Sequence, residues 1–425
     1  MTDTLRSELL SCLDTALAAV RPGPALAGAL DAHPLPADPP HLLAVGKAAV
    51  PMARAASAWL AARDLRPAAS LVVAPAVEPI RGIPVIAGDH PLPGSYSAAA
   101  ADAIASFCRS VEPGAAVWFL LSGGATSLMA GPEPGISIED LRQAYDQLLR
   151  SGLDIRAMNL IRKRLSRWGG GKLAVALAHA RTDQFIISDV IGDPLDAIGS
   201  GPMVPDTGTT AEALAMVNQA GLRDLLAASA VNRLDSMAAG KKTDLPPSSA
   251  EAFTRITSTI VASNRVAVEA AADFGRSRGW PVQVAPESLS GEAAVAGVML
   301  AERLLAEGGR CLLIAGGETT VTLAQATGQG GRNQELALAA AQVLAQSKQP
   351  VALLAAGTDG RDGPTDAAGG LVDQGTWKRI KAKGIDPAVA LASHDAYPAL
   401  AASGDLLRTG ATGTNVMDIV LGLRT

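Results

Sequence analysis

Residues 311–344 read CLLIAGGETTVTLAQATGQGGRNQELALAAAQVL and combine an apolar run, two glycine clusters and a helical segment. The run at residues 312–315 predicts a buried strand, and the alanine- and leucine-rich text after Arg332 predicts a helix to about residue 345. Glycines let a backbone approach a ligand, and a helix start offers unpaired N–H groups. Arg332 adds a planar cation suited to phosphate or carboxylate. The pattern therefore predicts either an anion site or an ordinary strand–loop–helix with turn glycines.

The length and the charge balance set the class of protein. The chain has 425 residues, which favours two domains over one, and 48% of them are hydrophobic, as in a globular protein. The 36 Lys and Arg residues stand against 41 Asp and Glu. This slightly acidic balance argues against a general nucleic-acid binder, which usually carries a basic surface.

The three cysteines and the first residues exclude other classes. Cys12, Cys108 and Cys311 are far apart and odd in number, which is not typical of a disulfide scaffold or a cysteine zinc site. Residues 1–20 show helical apolar spacing interrupted by acids, which predicts an amphipathic helix and neither a signal peptide nor a membrane span. We therefore expect a cytoplasmic protein without a membrane partner.

The first half of the chain repeats a strand followed by a polar or glycine turn. Residues 41–45 predict a strand that leads into Gly46 and Lys47, where a lysine at a helix start can reach an anion or simply be solvated. Residues 117–121 predict a strand that ends in Ser122, Gly123 and Gly124, a sequence suited to a phosphate or carboxylate cradle. His90, in a proline-rich turn, is either a functional base or a residue that holds the loop.

Asp189 follows another predicted strand, at residues 185–187. Ligands of open α/β sheets bind beyond the carboxyl ends of strands, so Asp189 is a candidate general base or metal contact. The basic residues between 156 and 172 form either part of an anion site or a solvated helix face.

A polar, proline-containing stretch near residue 248 predicts the domain boundary, so we expect domains at 1–248 and 249–425, with a C-terminal segment free to pack back on the first domain. Alternating strands and helices on both sides of it predict parallel or mixed sheets covered by helices. Asn264 follows a predicted strand at 259–262, and Asn415 lies in a late glycine- and hydroxyl-rich loop, where it could bond a substrate hydroxyl or carboxylate.

Aspartates cluster after a predicted strand at residues 351–355. Asp359, Asp362 and Asp366 are spaced unlike an EF-hand, and they could hold Mg²⁺ or build tight turns through their own backbone. We retain Asp359 and Asp362 as candidate metal ligands.

Several longer motifs follow one another along the chain, and their wording and order together form a specific pattern: GDHPLPG, ISDVIGDP with GSGP, GGETTV, GQGGRNQE, GTDGRDGPTDAAGG and TGTNVMD. Together they resemble the glycerate 2-kinase family whose C-terminal half is the MOFRL domain, over nearly the whole chain from Lys47 to Asp418. The resemblance implies an α/β fold with an N-terminal Rossmann-like doubly wound sheet, a C-terminal α/β MOFRL domain and an active site in the cleft between them.

The resemblance also implies the reaction of ATP with D-glycerate to give ADP and 2-phosphoglycerate. We expect a monomer or homodimer, and the charge balance predicts no nucleic-acid partner. Lys47, Asp189 and Arg332 match the positions regarded as catalytic in such enzymes. Physical roles fit these side chains: Asp189 would accept the 2-hydroxyl proton, Lys47 and Arg332 would neutralise the phosphoryl group or hold the carboxylate, and Mg²⁺ would bridge the ATP phosphates. The expected substrate- and nucleotide-binding residues are Ser122, Gly123, Gly124, Asn264, Gly316, Gly317, Glu318, Thr319, Gly330, Gly331 and Asn415.

Two alternatives stay open. Proteins that resemble this family have often been labelled hydroxypyruvate reductases, but the turn after the first strand lacks the G-x-G-x-x-G spacing of a nicotinamide site. A non-enzymatic, two-lobed ligand sensor is the other alternative, and it would not require Lys47, Asp189 and Arg332 together.

Overall fold

A computed structural model describes residues 2–306, 308–323 and 328–425. The helices are α1 (Thr2–Ala19), α2 (Pro22–Asp31), α3 (Ala49–Ala61), α4 (Ser95–Ser110), α5 (Ala125–Leu128), α6 (Ile138–Arg150), α7 (Ile155–Leu165), α8 (Lys172–Ala176), α9 (Thr210–Gln219), α10 (Ala228–Ala238), α11 (Asn264–Ser277), α12 (Ala293–Ala306), α13 (Arg332–Leu344), α14 (Thr376–Ala382), α15 (Pro387–Ala392) and α16 (Ala396–Ser403). The strands are β1 (His41–Val45), β2 (Ser70–Ala74), β3 (Val85–Ala87), β4 (Ala116–Leu121), β5 (Arg181–Ile187), β6 (Ile256–Ala262), β7 (Val282–Val284), β8 (Cys311–Gly317), β9 (Val351–Gly357), β10 (Gly369–Asp373), β11 (Leu406–Leu407) and β12 (Asp418–Arg424).

The chain divides into two compact units, one of residues 25–261 and one of residues 1–24 with 262–425. We call them the central unit and the terminal unit. The predicted boundary at 248/249 is displaced to 261/262, and residues 1–24 do not belong with the residues that follow them. The reason is the apolar face of α1, which packs against α11 and β9. Leu9, Leu13 and Ala16 on that face are buried, so the spacing that predicted an amphipathic helix covers a core formed by the end of the chain.

The central unit contains a six-stranded sheet in the order β3-β2-β1-β4-β5-β6. β1 pairs in parallel with both β2 and β4, with Val45 opposite Val73 on one side and Leu121 on the other. This is the strand order of the doubly wound Rossmann fold, so the predicted fold class is confirmed. Such sheets are covered on both faces, which is why β1 and β4 are buried throughout and apolar except for His41. The order reverses between β1 and β4, and that point is where ligands of this fold bind.

A helical layer of α6, α7, α9 and α10 closes around Leu141, Leu148, Ile161 and Leu234 in the same unit. Two basic residues of α7, Lys163 and Arg164, are buried here and paired within the unit. Lys163 contacts Asp206, and Arg164 Nε lies 3.0 Å from Asp244 Oδ1. The interpretation as a solvated helix face is therefore wrong for Lys163 and Arg164, while the interpretation as part of an anion site stays a prediction.

The terminal unit contains a mixed sheet in the order β11-β10-β9-β12-β8-β7. One of its two central strands is β12 at the end of the chain, which runs antiparallel to β8 on one side and β9 on the other. Every residue of β12 is buried. A core of Leu300, Leu336 and Leu353 joins α12 and α13 to this sheet. The C-terminal strand thus brings Asp418 between the ends of β8 and β9, a placement that strand prediction along the chain did not anticipate.

No helix in the described ranges combines the length and the apolar composition of a membrane span. Cys12, Cys108 and Cys311 are buried free thiols, as expected for cysteines without a disulfide role. Burial raises the pKa of Cys12 and of Cys108 to about 12 in each case.

Candidate functional site

Two loops interlock at the point where the strand order of the central unit reverses. Lys47 N donates to Gly123 O at 2.9 Å, and Ser122 N donates to Val45 O at 3.0 Å. Gly46 has a φ of +135°, and a Cβ built on it would lie 2.5 Å from the carbonyl oxygen of Ser122. Only glycine fits this conformation and this contact. The glycine after β1 therefore places Lys47 against the loop after β4.

Ser122 supports this loop from inside. Its side chain is buried, and its Oγ accepts the Ala48 N–H at 3.0 Å, just before the start of α3. The hydroxyl is thus engaged with the helix start. The predicted ligand contact of Ser122 stays a prediction, and the geometry gives this side chain a structural role.

Asp189 follows β5 and lies directly against the loop after β4. A Cβ built on Gly123 would lie 2.6 Å from Asp189 Cγ, so the carboxylate occupies the space that a side chain would fill. Burial raises the pKa of Asp189 above its usual value, while the charge of Lys47 acts in the opposite direction. Asp189 is therefore a stronger base than an exposed aspartate and lies within the field of Lys47.

Lys47 and His90 lie side by side over Gly124. A Cβ on Gly124 would lie 3.1 Å from His90 Cδ2 and 3.2 Å from Lys47 Cε. Burial lowers the pKa of His90, and the Lys47 charge lowers it further, so the imidazole is neutral near pH 7. Lys47 itself is exposed within a buried run of residues. The structure brings Lys47, His90, Gly123, Gly124 and Asp189 together, and we call these five residues the lysine–aspartate group.

Arg332 is the centre of a second group, in the terminal unit. Its Nε donates to Asp418 Oδ2 at 2.5 Å and its Nη2 donates to Asp418 Oδ1 at 2.9 Å, while Nη1 lies 2.9 Å from Glu318 Oε1. Burial alone would lower the pKa of Arg332, but the hydrogen bonds and charge of Asp418 outweigh it and raise that pKa. Two carboxylates thus fix the orientation of the guanidinium plane. We call Arg332, Glu318 and Asp418 the arginine group.

The backbone at the start of α13 is not open to an anion as predicted. Asp362 accepts the N–H of Asn333 at 3.1 Å and the N–H of Gln334 at 2.8 Å, one on each carboxylate oxygen. Gly331 makes room, since a Cβ there would lie 2.5 Å from Asp362 Oδ1. The expectation of free N–H groups is wrong for Asn333 and Gln334 because a buried carboxylate caps the helix. The predicted anion contact of the Arg332 side chain stays a prediction.

The same bonds bear on the predicted magnesium ligands. Both oxygens of Asp362 bind the start of α13, and Asp359 Oδ1 accepts the Arg361 N–H at 2.9 Å in a tight turn. Within the described ranges, no group of three or more His, Cys, Asp or Glu side chains could hold a metal ion. Magnesium coordination would therefore have to share carboxylate oxygens that already accept backbone N–H groups. The metal assignment of Asp359 and Asp362 stays a prediction without geometric support.

Asn264 supports the strand that carries Asp418. Its Nδ2 donates to the carbonyl oxygens of Val416 at 2.9 Å and Asp418 at 2.8 Å. Gly316 packs against it, because a Cβ there would lie 2.9 Å from Asn264 Cγ. Asn415 Oδ1 accepts the Met417 N–H at 3.1 Å. The asparagines predicted to bind ligand thus hold the backbone of residues 416–418.

The remaining glycines lie close to neighbouring backbone. A Cβ on Gly317, whose φ is +142°, would lie 2.5 Å from Leu289 O, and one on Gly330 would lie 3.4 Å from Ala396 N. Thr319 is buried, and its Oγ1 has no hydrogen-bond partner among the described residues. The binding roles of these residues stay predictions.

Asp418 is a functional candidate whose side-chain role the sequence does not predict. It is the last residue of the motif TGTNVMD, from which the sequence predicts no role for its side chain. A signal existed, because an acid directly precedes the apolar run of residues 419–423 and so stands at the start of a strand. Nothing along the chain, however, pairs it with Arg332, which lies 86 positions away.

Comparisons with known proteins agree with these features. A domain of unknown function, DUF4147, matches residues 8–235, and the MOFRL family matches residues 311–418. A glycerate 2-kinase of Pyrococcus horikoshii is 36% identical over 392 residues, which are 91% of this chain and 87% of that protein. A protein of Agrobacterium vitis named putative hydroxypyruvate reductase is 36% identical over 386 residues, or 89% of this chain and 85% of that protein.

A solved structure extends the likeness to three dimensions. The crystal structure of a glycerate kinase from Thermotoga maritima matches with a TM-score of 0.89 and 34% sequence identity, and the match covers 100% of both chains. The motifs, the two family matches and the shared fold therefore show that the chain belongs to the MOFRL-containing family of glycerate kinases.

Proposed function

We propose that this kinase transfers the γ-phosphoryl group of ATP to the 2-hydroxyl of D-glycerate and releases ADP and 2-phosphoglycerate. The observation that carries the proposal is the lysine–aspartate group, where a base and a cation meet at the ligand-binding point of a doubly wound sheet. Phosphoryl transfer needs positioning and charge neutralisation more than covalent chemistry, and these residues supply both.

Asp189 is proposed as the base. It takes the proton of the 2-hydroxyl as that oxygen bonds to the γ-phosphorus, and the bond from this phosphorus to the bridging oxygen breaks as ADP leaves. Its pKa is raised by burial, so the carboxylate accepts a proton more readily than an exposed one would. Gly123 is required beside it because any side chain there would displace the carboxylate.

Lys47 and Arg332 are proposed as the cations. Lys47 is exposed beside Asp189 and His90, and the neutral imidazole adds no competing positive charge. Arg332 presents a fork that suits a phosphate or the glycerate carboxylate. We propose that both cations are needed for turnover, since each would stabilise negative charge in the transition state. No step is assigned to Mg²⁺, since Asp359 and Asp362 as its ligands stay a prediction.

The test is a pair of assays on the purified chain. One follows ADP release from ATP and D-glycerate with Mg²⁺ in the buffer, and ³¹P NMR identifies the phosphorylated carbon. We expect phosphate on C2. Phosphate on C3, or ADP release independent of glycerate, would contradict the proposal. Lys47→Ala and Asp189→Asn are the matched variants, and each should lower glycerate-dependent ADP release by about 10²-fold or more while leaving the far-UV circular dichroism unchanged.

Hydroxypyruvate reduction is the second candidate, favoured by the name of the Agrobacterium vitis relative and by the Rossmann strand order. The turn after β1 reads GKAAVP and lacks the G-x-G-x-x-G of a nicotinamide site. The second assay follows NADH or NADPH loss with hydroxypyruvate. Loss of reduced cofactor without ADP release would establish the reductase. Absence of activity in both assays, together with ligand binding measured by calorimetry, would favour a sensor.

A further inference from the structure

The two carboxylates on Arg332 differ in burial and in geometry. The Asp418 side chain is 1% exposed and binds two nitrogens of the guanidinium, Nε and Nη2. The Glu318 side chain is 43% exposed and binds Nη1. A buried, bidentate pair fixes a plane, whereas a half-exposed contact through one nitrogen exchanges readily with solvent ions. The two acids therefore suit different tasks on the same cation.

The backbone that carries Asp418 is held from several directions. Asp418 begins β12 and pairs with Gly317 of β8 and Gly357 of β9. The Asn264 amide binds the carbonyl oxygens on both sides of Met417. Met417 has a φ of +68°, and its carbonyl oxygen accepts both the N–H of Thr358 at 2.9 Å and its Oγ1–H at 2.6 Å. Because a non-glycine residue in this conformation persists only where its surroundings hold it, the position of the Asp418 carboxylate is built into the sheet.

From this geometry we propose that Asp418 is a positioning residue. It fixes the guanidinium plane of Arg332 so that Nη1 is presented to a phosphate or carboxylate group of the substrates, which takes the place of Glu318. Asp418 touches neither substrate and acts through Arg332. The proposal rests on the proposed phosphoryl transfer, since it assigns the orientation of one of its cations.

The first test compares two substitutions that each remove one acid from the same guanidinium. Asp418→Asn should lower kcat by about 10²-fold, because a misplaced cation loses its alignment with the transferring group. Glu318→Gln should instead lower the KM of an anionic substrate by about two- to fivefold, because it removes an exposed competitor. Equal effects of both substitutions, or a kcat of Asp418→Asn within threefold of the original, would overturn the proposal.

Chemical rescue separates positioning from a general structural role. Arg332→Ala leaves the Asp418 carboxylate facing a space of guanidinium shape, so methylguanidinium should bind there and restore part of kcat. The double variant Arg332→Ala with Asp418→Asn should not be rescued. If Asp418→Asn fails to fold, calorimetry of methylguanidinium binding to Arg332→Ala still tests the proposal. Absence of binding would show that the Asp418 carboxylate does not form a preformed guanidinium site.

A spectroscopic readout makes the outcome independent of activity. In protein labelled with ¹⁵N-arginine, the Nε–H signal of Arg332, assigned by its loss in Arg332→Ala, should exchange slowly with water. Asp418→Asn should make this exchange fast, and Glu318→Gln should not. Fast exchange in the unsubstituted protein would overturn the positioning role. Absence of glycerate phosphorylation with slow exchange would instead show that the proposed reaction is wrong while the positioning is right.

Discussion

Gly123 and the Asp189 carboxylate share one space: a Cβ on Gly123 would lie 2.6 Å from Asp189 Cγ. Gly123 lies on the loop after β4, and Asp189 follows β5, the neighbouring strand of the parallel sheet. Parallel strands end at the same edge, so residues that follow them meet there although they are 66 positions apart in the sequence. The glycine is thus needed for the position of the proposed base.

Gly123→Ala tests this relationship. The added methyl group must push the Asp189 carboxylate away, and a displacement of about 1 Å in a catalytic group costs about 10²-fold in rate. We therefore expect kcat to fall by about that factor with the fold retained, as measured by ADP release and circular dichroism. Gly28→Ala is the control, since nothing lies within 4 Å of a Cβ at Gly28. Normal turnover of Gly123→Ala would show that Asp189 need not occupy this place.

Asp189→Asn removes the base without changing its size. General base catalysis contributes about 10²- to 10⁴-fold, and we expect kcat to fall within this range. Because burial raises the pKa of Asp189, the acidic limb of the pH–rate profile of the unsubstituted enzyme should lie at higher pH than the titration of an exposed aspartate. A limb at the ordinary pKa of an aspartate would assign the base to another group.

The same substitution should stabilise the fold near neutral pH. The folded protein holds Asp189 with a raised pKa, so it binds the proton more tightly than the unfolded chain does. The stability that this group contributes is present below the unfolded pKa and is lost as the pH rises through the folded pKa. Asp189→Asn carries no such loss, so its Tm should exceed that of the unsubstituted protein at pH 7 to 8. The difference should shrink towards pH 4, and a lower Tm at pH 8 would contradict the assigned burial effect.

Asp362→Ala should destabilise the terminal unit. Its carboxylate accepts two N–H groups of buried residues at the start of α13, and each unpaired buried N–H costs about 1–3 kcal/mol. Urea unfolding should therefore show a loss of several kcal/mol, whereas Asp386→Ala, at the exposed cap of the short α15, should cost about 1 kcal/mol.

The pH dependence of that loss has a defined sign. Burial raises the pKa of Asp362 from 3.8 to about 6, so its contribution to stability grows as the pH falls from above 6 to below 4. The advantage of the unsubstituted protein over Asp362→Ala should consequently be larger at pH 5 than at pH 7. An advantage that decreases on acidification would mean that Asp362 is stabilised as a charged group.

Arg332→Lys tests the shape of the cation separately from its charge. Lysine carries a single ammonium and cannot reproduce the two parallel bonds to Asp418. We expect kcat to fall by about 10²-fold, nearly as far as in Arg332→Ala. Arg276→Lys, in an exposed helix pair with Asp273, should leave kcat unaltered. Full activity of Arg332→Lys would show that charge alone suffices at this position.

Local patterns predicted much of the scaffold. β1 has the predicted bounds, and β4 and β5 end at the predicted residues. The polar turns after these strands identified Lys47 and Asp189, because a residue that follows a parallel strand lies at the ligand-binding edge wherever the strand lies in the sheet. Strands and the turns that follow them depend on residues close together in the sequence, so they can be predicted from it.

The sequence by itself thus determined the α/β class, the family motifs and the candidate cation and base of the central unit. Only the tertiary structure decided that α1 belongs with the end of the chain, that β12 is a central strand and that Asp418 holds Arg332. It also decided that Asp362 caps α13 and that Lys163 and Arg164 are buried in pairs. The physical reason is common to all of these: burial and long-range pairing depend on which distant residues meet, and that follows from packing of the whole core.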